Sequence, residues 1–373
     1  MPRRPRVVIA GMGDTGVLVA TQLARRCGVV GVATRPALVS GQELGARVAD
    51  PDGWRRNFLI PFDDLARLDA VRTVHGSIER IDPDRRIVHV ARAAGGRVLL
   101  PYDVLVVATG VRNGFWRHDR VEDLADVERG IDQVAQRLAA ARTVAVIGGG
   151  ATGVSVAANL AMRGVVPDVH LFHSGDQPLP DYPEPTRRRI VAELDAAGVH
   201  RHPGHRAIVP DGFRGERLTS DPVRWATGQA PFAADVVLWA VGRVEPNSSF
   251  LPPAWLDEDG FVRVDAHLRV PGTDGVFAVG DVAASDPNRS SARNWGFLVV
   301  AANVRALASG KRRLRRFSAP SQRWGSILGA QSDGLLVFQP DGKAMRVPRP
   351  LVQPLLFDLY LHALLYRGVR HRR

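Results

Sequence analysis

The chain has 373 residues, 45% of them hydrophobic and 24% charged, a balance that excludes a disordered protein, while the length predicts two or three domains. A single cysteine, Cys27, excludes an intrachain disulfide, a CxxC redox pair and a multi-cysteine metal centre, and no apolar run reaches the ~18 residues a membrane-spanning helix needs. The net charge of +12 is concentrated in the last fifth, where residues 301–373 carry 14 basic against 3 acidic residues, so the first 300 are close to neutral.

That asymmetry points to an anionic partner for the C-terminus, with lipid headgroups or nucleic acid as the two chemistries and a solvated terminus as the plain alternative. Only Lys311 and Lys343 are lysines among 50 basic residues, which reads as a GC-rich, bacterial base composition. The opening MPRRPRVVIAGMG has too short an apolar core for a signal peptide, so a reducing cytosol is the expected setting.

In chain order, residues 7–10 form an apolar strand, a helical pattern follows to Arg26, and residues 29–33 form a second strand: a βαβ unit of the expected ~30 residues. The runs GRVLL (96–100) and DVLVVATG (103–110) are strands, the second apolar enough for burial on both faces. Residues 121–141 predict a long polar helix bridging into a second unit: strand 144–147, a glycine turn, a helix to about Arg163 and strand 168–172. An amphipathic helix over 181–199 and the buried strands in ADVVLWAVGRVEPN (234–247) and GVFAVGD (275–281) follow. From Ser318, short alternating runs with SDG and PDG turns predict a small β-hairpin region.

The chemistry lies in the two turns. Gly11, Gly13 and Gly16 fit GxGxxG between a strand and a helix: the first permits the tight turn, the second admits a pyrophosphate, and the third lets helix pack on strand. Gly148, Gly150 and Gly153 repeat it 137 residues later, a domain length away. Neither unit carries the expected ribose-binding acid ~20 residues on. The first ends in Thr34 and Arg35, leaving the ribose to Thr34 and an acid from elsewhere, with Glu43 as the candidate; the second ends in His173 and Ser174, and His173 with Arg187–Arg189 nearby tilts the donor toward NADPH.

The order GMGDTG, VLVVATG, GGGATG, WAVGRVEPN, GVFAVGD resembles the flavoproteins with two dinucleotide-binding domains: type II NADH dehydrogenases, apoptosis-inducing-factor-like and ferroptosis-suppressor-like NAD(P)H:quinone reductases, and ferredoxin reductases. These belong to the pyridine nucleotide-disulfide oxidoreductase superfamily, here without the redox disulfide. The resemblance covers about residues 6–310. It implies an α/β fold of two Rossmann-like domains plus a small C-terminal α+β region. An FAD-binding domain takes residues 1–115 and 248–315, an NAD(P)H-binding domain 116–247, and the C-terminal region 316–373.

The same resemblance implies that FAD is held by Gly11, Gly13, Asp14, Thr15, Gly16 and Thr34, by Thr109 and Gly110 of the ATG turn, and by Gly280 and Asp281, whose carboxylate meets a ribityl hydroxyl. It places Ile78 beside adenine and Arg47 near the pyrophosphate. NAD(P)H falls to Gly148, Gly150, Ala151, Thr152, Gly153, His173 and Gly242. The chain departs from quinone-reducing relatives at Ser155, where they carry a glutamate at the flavin–nicotinamide junction, and at Asn159, in place of a second one. It departs again at residues 290–304, where Arg293, Asn294 and Trp295 replace a glutamine-containing helix. No catalytic side chain is fixed; Ser155 and Trp295 are the flavin-side candidates.

In the last segment, LLFDLYLHALLYRGVRHRR, Asp358, His362 and Tyr366 recur every four residues as a polar stripe on an apolar helix followed by arginines. That pattern fits a helix lying on an anionic membrane surface, or one packed internally or in a homodimer. The expectation is an FAD-dependent NAD(P)H oxidoreductase, cytoplasmic or peripheral on the cytoplasmic face, working by ping-pong with a quinone-like acceptor. Ferredoxin-type electron transfer and a non-catalytic flavin- or nucleotide-dependent sensor are the alternatives. No metal and no nucleic-acid partner are expected.

Overall fold

The first apolar run becomes strand Arg6–Ala10, in which Val7, Val8, Ile9 and Ala10 are each at most 1% exposed, as a central parallel strand covered on both faces requires. The structure, a computed structural model, describes residues 4–113, 117–213, 215–241, 244–288, 295–311, 313–319 and 325–370. Five parallel strands run in the order Val276–Ala278, Val104–Val107, Arg6–Ala10, Gly28–Ala33, Val71–Asp82. The last of these is twelve residues long and outruns its parallel neighbour. Its free end pairs antiparallel with Ile87–Arg92, which pairs in turn with Arg97–Pro101.

A second, four-stranded sheet is parallel throughout, in the order His200–His202, Asp168–Phe172, Thr143–Ile147, Val236–Trp239. The chain is thus an α/β protein whose two largest sheets are each built around one glycine-turn βαβ unit. The sequence over 121–141 predicts one helix; the helix is Leu124–Ala139, and Asp123 caps it in a reciprocal box with Asp126. Residues 117–122 before it form a strap without helix, of which Arg117, His118, Asp119, Arg120 and Glu122 line the cavity beside the first glycine turn. Val127 and Ile131 pack in the core of the first sheet and Leu138 in that of the second, so this helix ties the two together.

The C-terminal region forms the predicted hairpin, enlarged to three antiparallel strands, Ala330–Gln331, Gly334–Phe338 and Ala344–Pro348. The closing helix, Val352–Leu365, is wound with wide i→i+5 turns. The polar positions 362 and 366 do share one side, and that side faces the protein. His362 and Tyr366 are 2% and 1% exposed and face inward, where His362 Nε2 meets the Asn57 carbonyl at 3.3 Å and the Tyr366 hydroxyl reaches Asp14 at 3.5 Å. Leu355, Leu359 and Leu364 face outward, 46%, 49% and 62% exposed.

Candidate functional site

The two glycine turns share the same backbone geometry. Gly11 and Gly148 hold φ of +95° and +126°, and a Cβ at either would stand 2.6 or 2.1 Å from the carbonyl of Ala108 or Ala240, the residue after the neighbouring strand. A Cβ on Gly16 would lie 1.9 Å from the Gly11 oxygen, and one on Gly153 1.9 Å from the Gly148 oxygen, so no side chain fits where helix meets strand. The middle glycines differ: at Gly13 and Gly150 a Cβ would meet nothing within 4 Å. Each turn is closed toward the protein and open toward a ligand at the N-terminus of its helix, Asp14–Leu23 or Ala151–Met162.

The first turn opens into a cavity of about 580 Å³. Gly11, Gly13, Asp14 and Thr15 line it at the turn, Thr34, Arg47 and Ile78 at one end, and Thr109, Gly110, Gly280 and Asp281 at the other. Of the residues assigned to FAD from sequence, only Gly16 lies behind the wall, packed on Gly11.

At the Thr34 end, the acid on the cavity wall beside Thr34 is Glu122, and Glu43 is not on that wall. The Glu122 amide donates to the Thr34 carbonyl at 2.9 Å, and its carboxylate accepts from Arg35 Nε at 2.8 Å, both side chains 18% exposed. Arg35 also lies 2.8 Å from His118 Nδ1. Burial, with Arg35, Arg120 and Arg47 close by, lowers His118 to about 3, so its ring is neutral. Burial, aided by Arg35, lowers Arg47 to about 10, leaving it a cation at neutral pH; its guanidinium stacks 5.2 Å over Trp54. Glu43 lies away from the cavity, its Oε2 against Gly329, and burial raises it to about 7 despite Arg163.

At the other end, Gly280 holds a φ of +85°, and a Cβ there would lie 2.9 Å from Thr15 Oγ1. Asp281 Oδ2 accepts from Arg117 Nη1 at 2.6 Å, while Oδ1 is buried without a partner. Thr109 is committed elsewhere: its hydroxyl donates to the Asn247 carbonyl at 2.6 Å, and Asn247 Nδ2 returns a bond to the Thr109 carbonyl at 3.1 Å. Asn247 Oδ1 is a second buried, unpartnered acceptor on this wall. Asp14 anchors a loop, accepting from Ser40 Oγ at 2.6 Å and the Gly41 amide at 2.9 Å. Glu122, Arg117 and Asn247 escaped the sequence reading; for Asn247 alone a signal existed, the VEPN closing its strand.

At the second turn, Gly148, Gly150 and Gly153 are followed by Ala151 and Thr152 in the first turn of the helix. His173, 4% exposed, lies against the loop, where a Cβ on Gly149 would meet its own Cβ at 2.6 Å. Its Nδ1 lies 2.7 Å from the Gly175 carbonyl and therefore carries the proton, which makes Nε2 an acceptor; that atom is buried without a partner. Burial lowers His173, keeping it neutral. Arg188 and Arg189 pair with Glu184 and Glu193 on their own helix, at 3.0 and 2.8 Å. Gly242, like Arg293 and Asn294, lies outside the described residues.

The two flavin-side candidates are not brought to the cavity. Ser155 is 5% exposed between helices, with its oxygens 2.4 Å from where a Gly45 Cβ would stand, and Trp295 is 40% exposed, stacked 6.0 Å from Phe297. Asn159 bonds the Leu328 carbonyl at 2.7 Å and ties the helix to the C-terminal region. Ser155→Glu, restoring the relatives' carboxylate, is expected to overfill this contact and cost about 1–3 kcal/mol, read as a lowered thermal midpoint. An unchanged midpoint would show that the site has room for the acid.

Two Rossmann-type turns, one opening into a cavity with two buried, unpartnered acceptors on its wall, define a protein built for two dinucleotides. The family of pyridine nucleotide-disulphide oxidoreductases matches residues 5–303, and the chain belongs to it. Oxidoreductase ptaL of Pestalotiopsis fici is 32% identical over 200 residues, 52% of this chain and 51% of its own length. Type II NADH:quinone oxidoreductase Ndh of Mycobacterium tuberculosis is 26% identical over 355 residues, 83% of this chain and 74% of its own. The chain spans about half the length of ptaL and of oxidoreductase OXR1 from Ajellomyces capsulatus, 51% in each case. The ferredoxin reductase for the CYP199A2 system from Rhodopseudomonas palustris shares the fold, with a TM-score of 0.68 at 21% identity over 89% of this chain and 81% of that one.

Proposed function

We propose that the chain is an FAD-dependent NAD(P)H oxidoreductase in which the first cavity holds FAD, the second turn admits the nicotinamide nucleotide, and a quinone-like molecule takes the electrons. The observation that carries this reading is the repetition of one turn geometry with a buried, unpaired acceptor beside each copy, Asp281 Oδ1 and His173 Nε2. Bound FAD supplies the two-electron carrier. The protein's part is to seat and orient. The open face of Gly13 and the helix behind it receive the pyrophosphate, Arg47 supplies positive charge, and Asp281 Oδ1 accepts from a ribityl hydroxyl. The chain's one cysteine is buried, so electrons have no intrachain disulfide to pass through.

For the donor, the geometry favours NADH. His173 stands at the strand end where Rossmann proteins read the adenosine ribose. A neutral ring presenting a bare Nε2 can accept from a hydroxyl but gives nothing to a 2′-phosphate, and Arg201, whose charge acts on His173, is paired with Asp195 at 2.7 Å. The wild type is expected to prefer NADH over NADPH by roughly tenfold in kcat/KM, and His173→Glu to keep NADH turnover while widening the gap. Equal efficiency with NADPH would overturn the assignment.

For the acceptor, the outward leucines of Val352–Leu365 support a quinone reached from a membrane surface. Among the described residues no helix is long and apolar enough to cross a membrane, so this one would lie on it, with Arg349 and Arg367 at its ends. The basic C-terminal fifth also suits an acidic redox protein. Steady-state turnover with a menaquinone analogue against a ferredoxin decides: faster turnover with the ferredoxin would replace the quinone.

A further inference from the structure

The walls of the first cavity raise an electrostatic problem for any pyrophosphate. Asp14 sits in the first turn of the helix directly after Gly13, and Asp281 faces the same space with one oxygen unpartnered. Like charges at this range oppose an anionic ligand, and burial makes the opposition worse. Arg117 lies between these two acids. Its Nη1 donates to Asp281 Oδ2 at 2.6 Å and its Nη2 to the Gly41 carbonyl at 3.3 Å, while the Gly41 amide donates to Asp14 Oδ2 at 2.9 Å.

The sequence makes room for this arrangement. A Cβ on Gly41 would lie 2.5 Å from Arg117 Nη2 and 2.8 Å from its Cζ, so the guanidinium packs against the bare α-carbon. Gly41 has no positive φ to explain it; among the described residues, what it spares is this arginine. Arg117 comes from the strap that precedes helix Leu124–Ala139, a segment outside both glycine turns.

We infer that Arg117 is the positioning cation of the FAD site: bonded to Asp281 and linked to Asp14 through Gly41, it offsets part of their negative charge so that the pyrophosphate can bind, and it holds the Asp281 side chain with Oδ1 turned to the ribityl chain. The inference rests on the FAD reading of the cavity. Removing one partner of a buried charge pair weakens binding by on the order of a hundredfold, and that is the expected loss of FAD affinity in Arg117→Ala. Arg117→Lys, which keeps the charge, should recover most of it.

The test uses protein stripped of FAD and titrated with FAD by flavin fluorescence, together with the midpoint potential of the reloaded protein. Arg117→Ala is expected to bind FAD more weakly and to lower the potential, since a cation near the flavin favours its reduced, more negative form. Asp14→Asn added to Arg117→Ala should restore part of the affinity, a rescue that general misfolding cannot produce. Thermal melts of the two FAD-free proteins identify any fold defect. FAD affinity in Arg117→Ala within threefold of wild type, or no rescue by Asp14→Asn, overturns the inference and leaves the FAD reading standing; a wild type that takes up no FAD overturns both.

Discussion

Gly150→Glu is expected to give a protein that stays yellow but is no longer bleached by NADH, and Gly13→Glu a protein that folds but purifies without flavin. Both glycines have ordinary extended backbone, φ −76° in each, and a Cβ at either meets nothing within 4 Å, so the new side chain fits the protein itself. What it obstructs is the space in front of the helix N-terminus, where it also sets a carboxylate against a phosphate. Like-charge contact of this kind costs several kcal/mol, so binding should fall by roughly two to three orders of magnitude. Visible absorption of the purified variants and anaerobic titration with NADH read the two outcomes separately. Loss of both cofactors from either variant alone would contradict the division of labour between the turns.

Replacing Leu355, Leu359 and Leu364 together by Ser is expected to abolish sedimentation with anionic vesicles while leaving NADH reduction of the flavin intact. These side chains are 46%, 49% and 62% exposed, whereas Leu361, His362 and Tyr366 anchor the same helix to the core. Burying a leucine in an apolar phase contributes about 1.5–3 kcal/mol, so loss of three should lower partitioning more than a hundredfold. The substitution is a sharper probe than deleting the segment, which would strip Tyr366 from its contact with Asp14. Vesicle binding that survives the triple change would assign the leucine face to another partner, such as a second copy of the chain.

The parts of the site that sequence made legible are those set by local backbone rules. A strand, a glycine turn and a helix carry their geometry within ten residues, which is why both turns, and the GVFAVGD strand ending at Asp281, could be placed from letters alone. What stayed hidden depends on distant segments meeting. Glu122 reaches Arg35 across 87 residues and Arg117 reaches Asp281 across 164, both from a strap without a motif, of which only residues 121–122 fall in the predicted helix. Those two residues stay outside the helix because the capping box of Asp123 with Asp126 starts it at Leu124. The C-terminal helix shows the same limit: spacing puts His362 and Tyr366 on one side, but that this side faces inward is decided by Asn57 and Asp14, 305 and 352 residues away in sequence, which receive them. Ser155 marks a related limit, because a motif match gives its place in the helix but not that Gly45 closes over it.

The central claim is that one cavity keeps FAD while the second turn delivers the nicotinamide that reduces it. Anaerobic titration of the FAD-loaded protein with NADH tests it most directly. The account predicts stoichiometric flavin and complete bleaching of its visible absorption by one equivalent of NADH. A protein that takes up no FAD, or one whose bound flavin keeps its colour in excess NADH and NADPH, would contradict it.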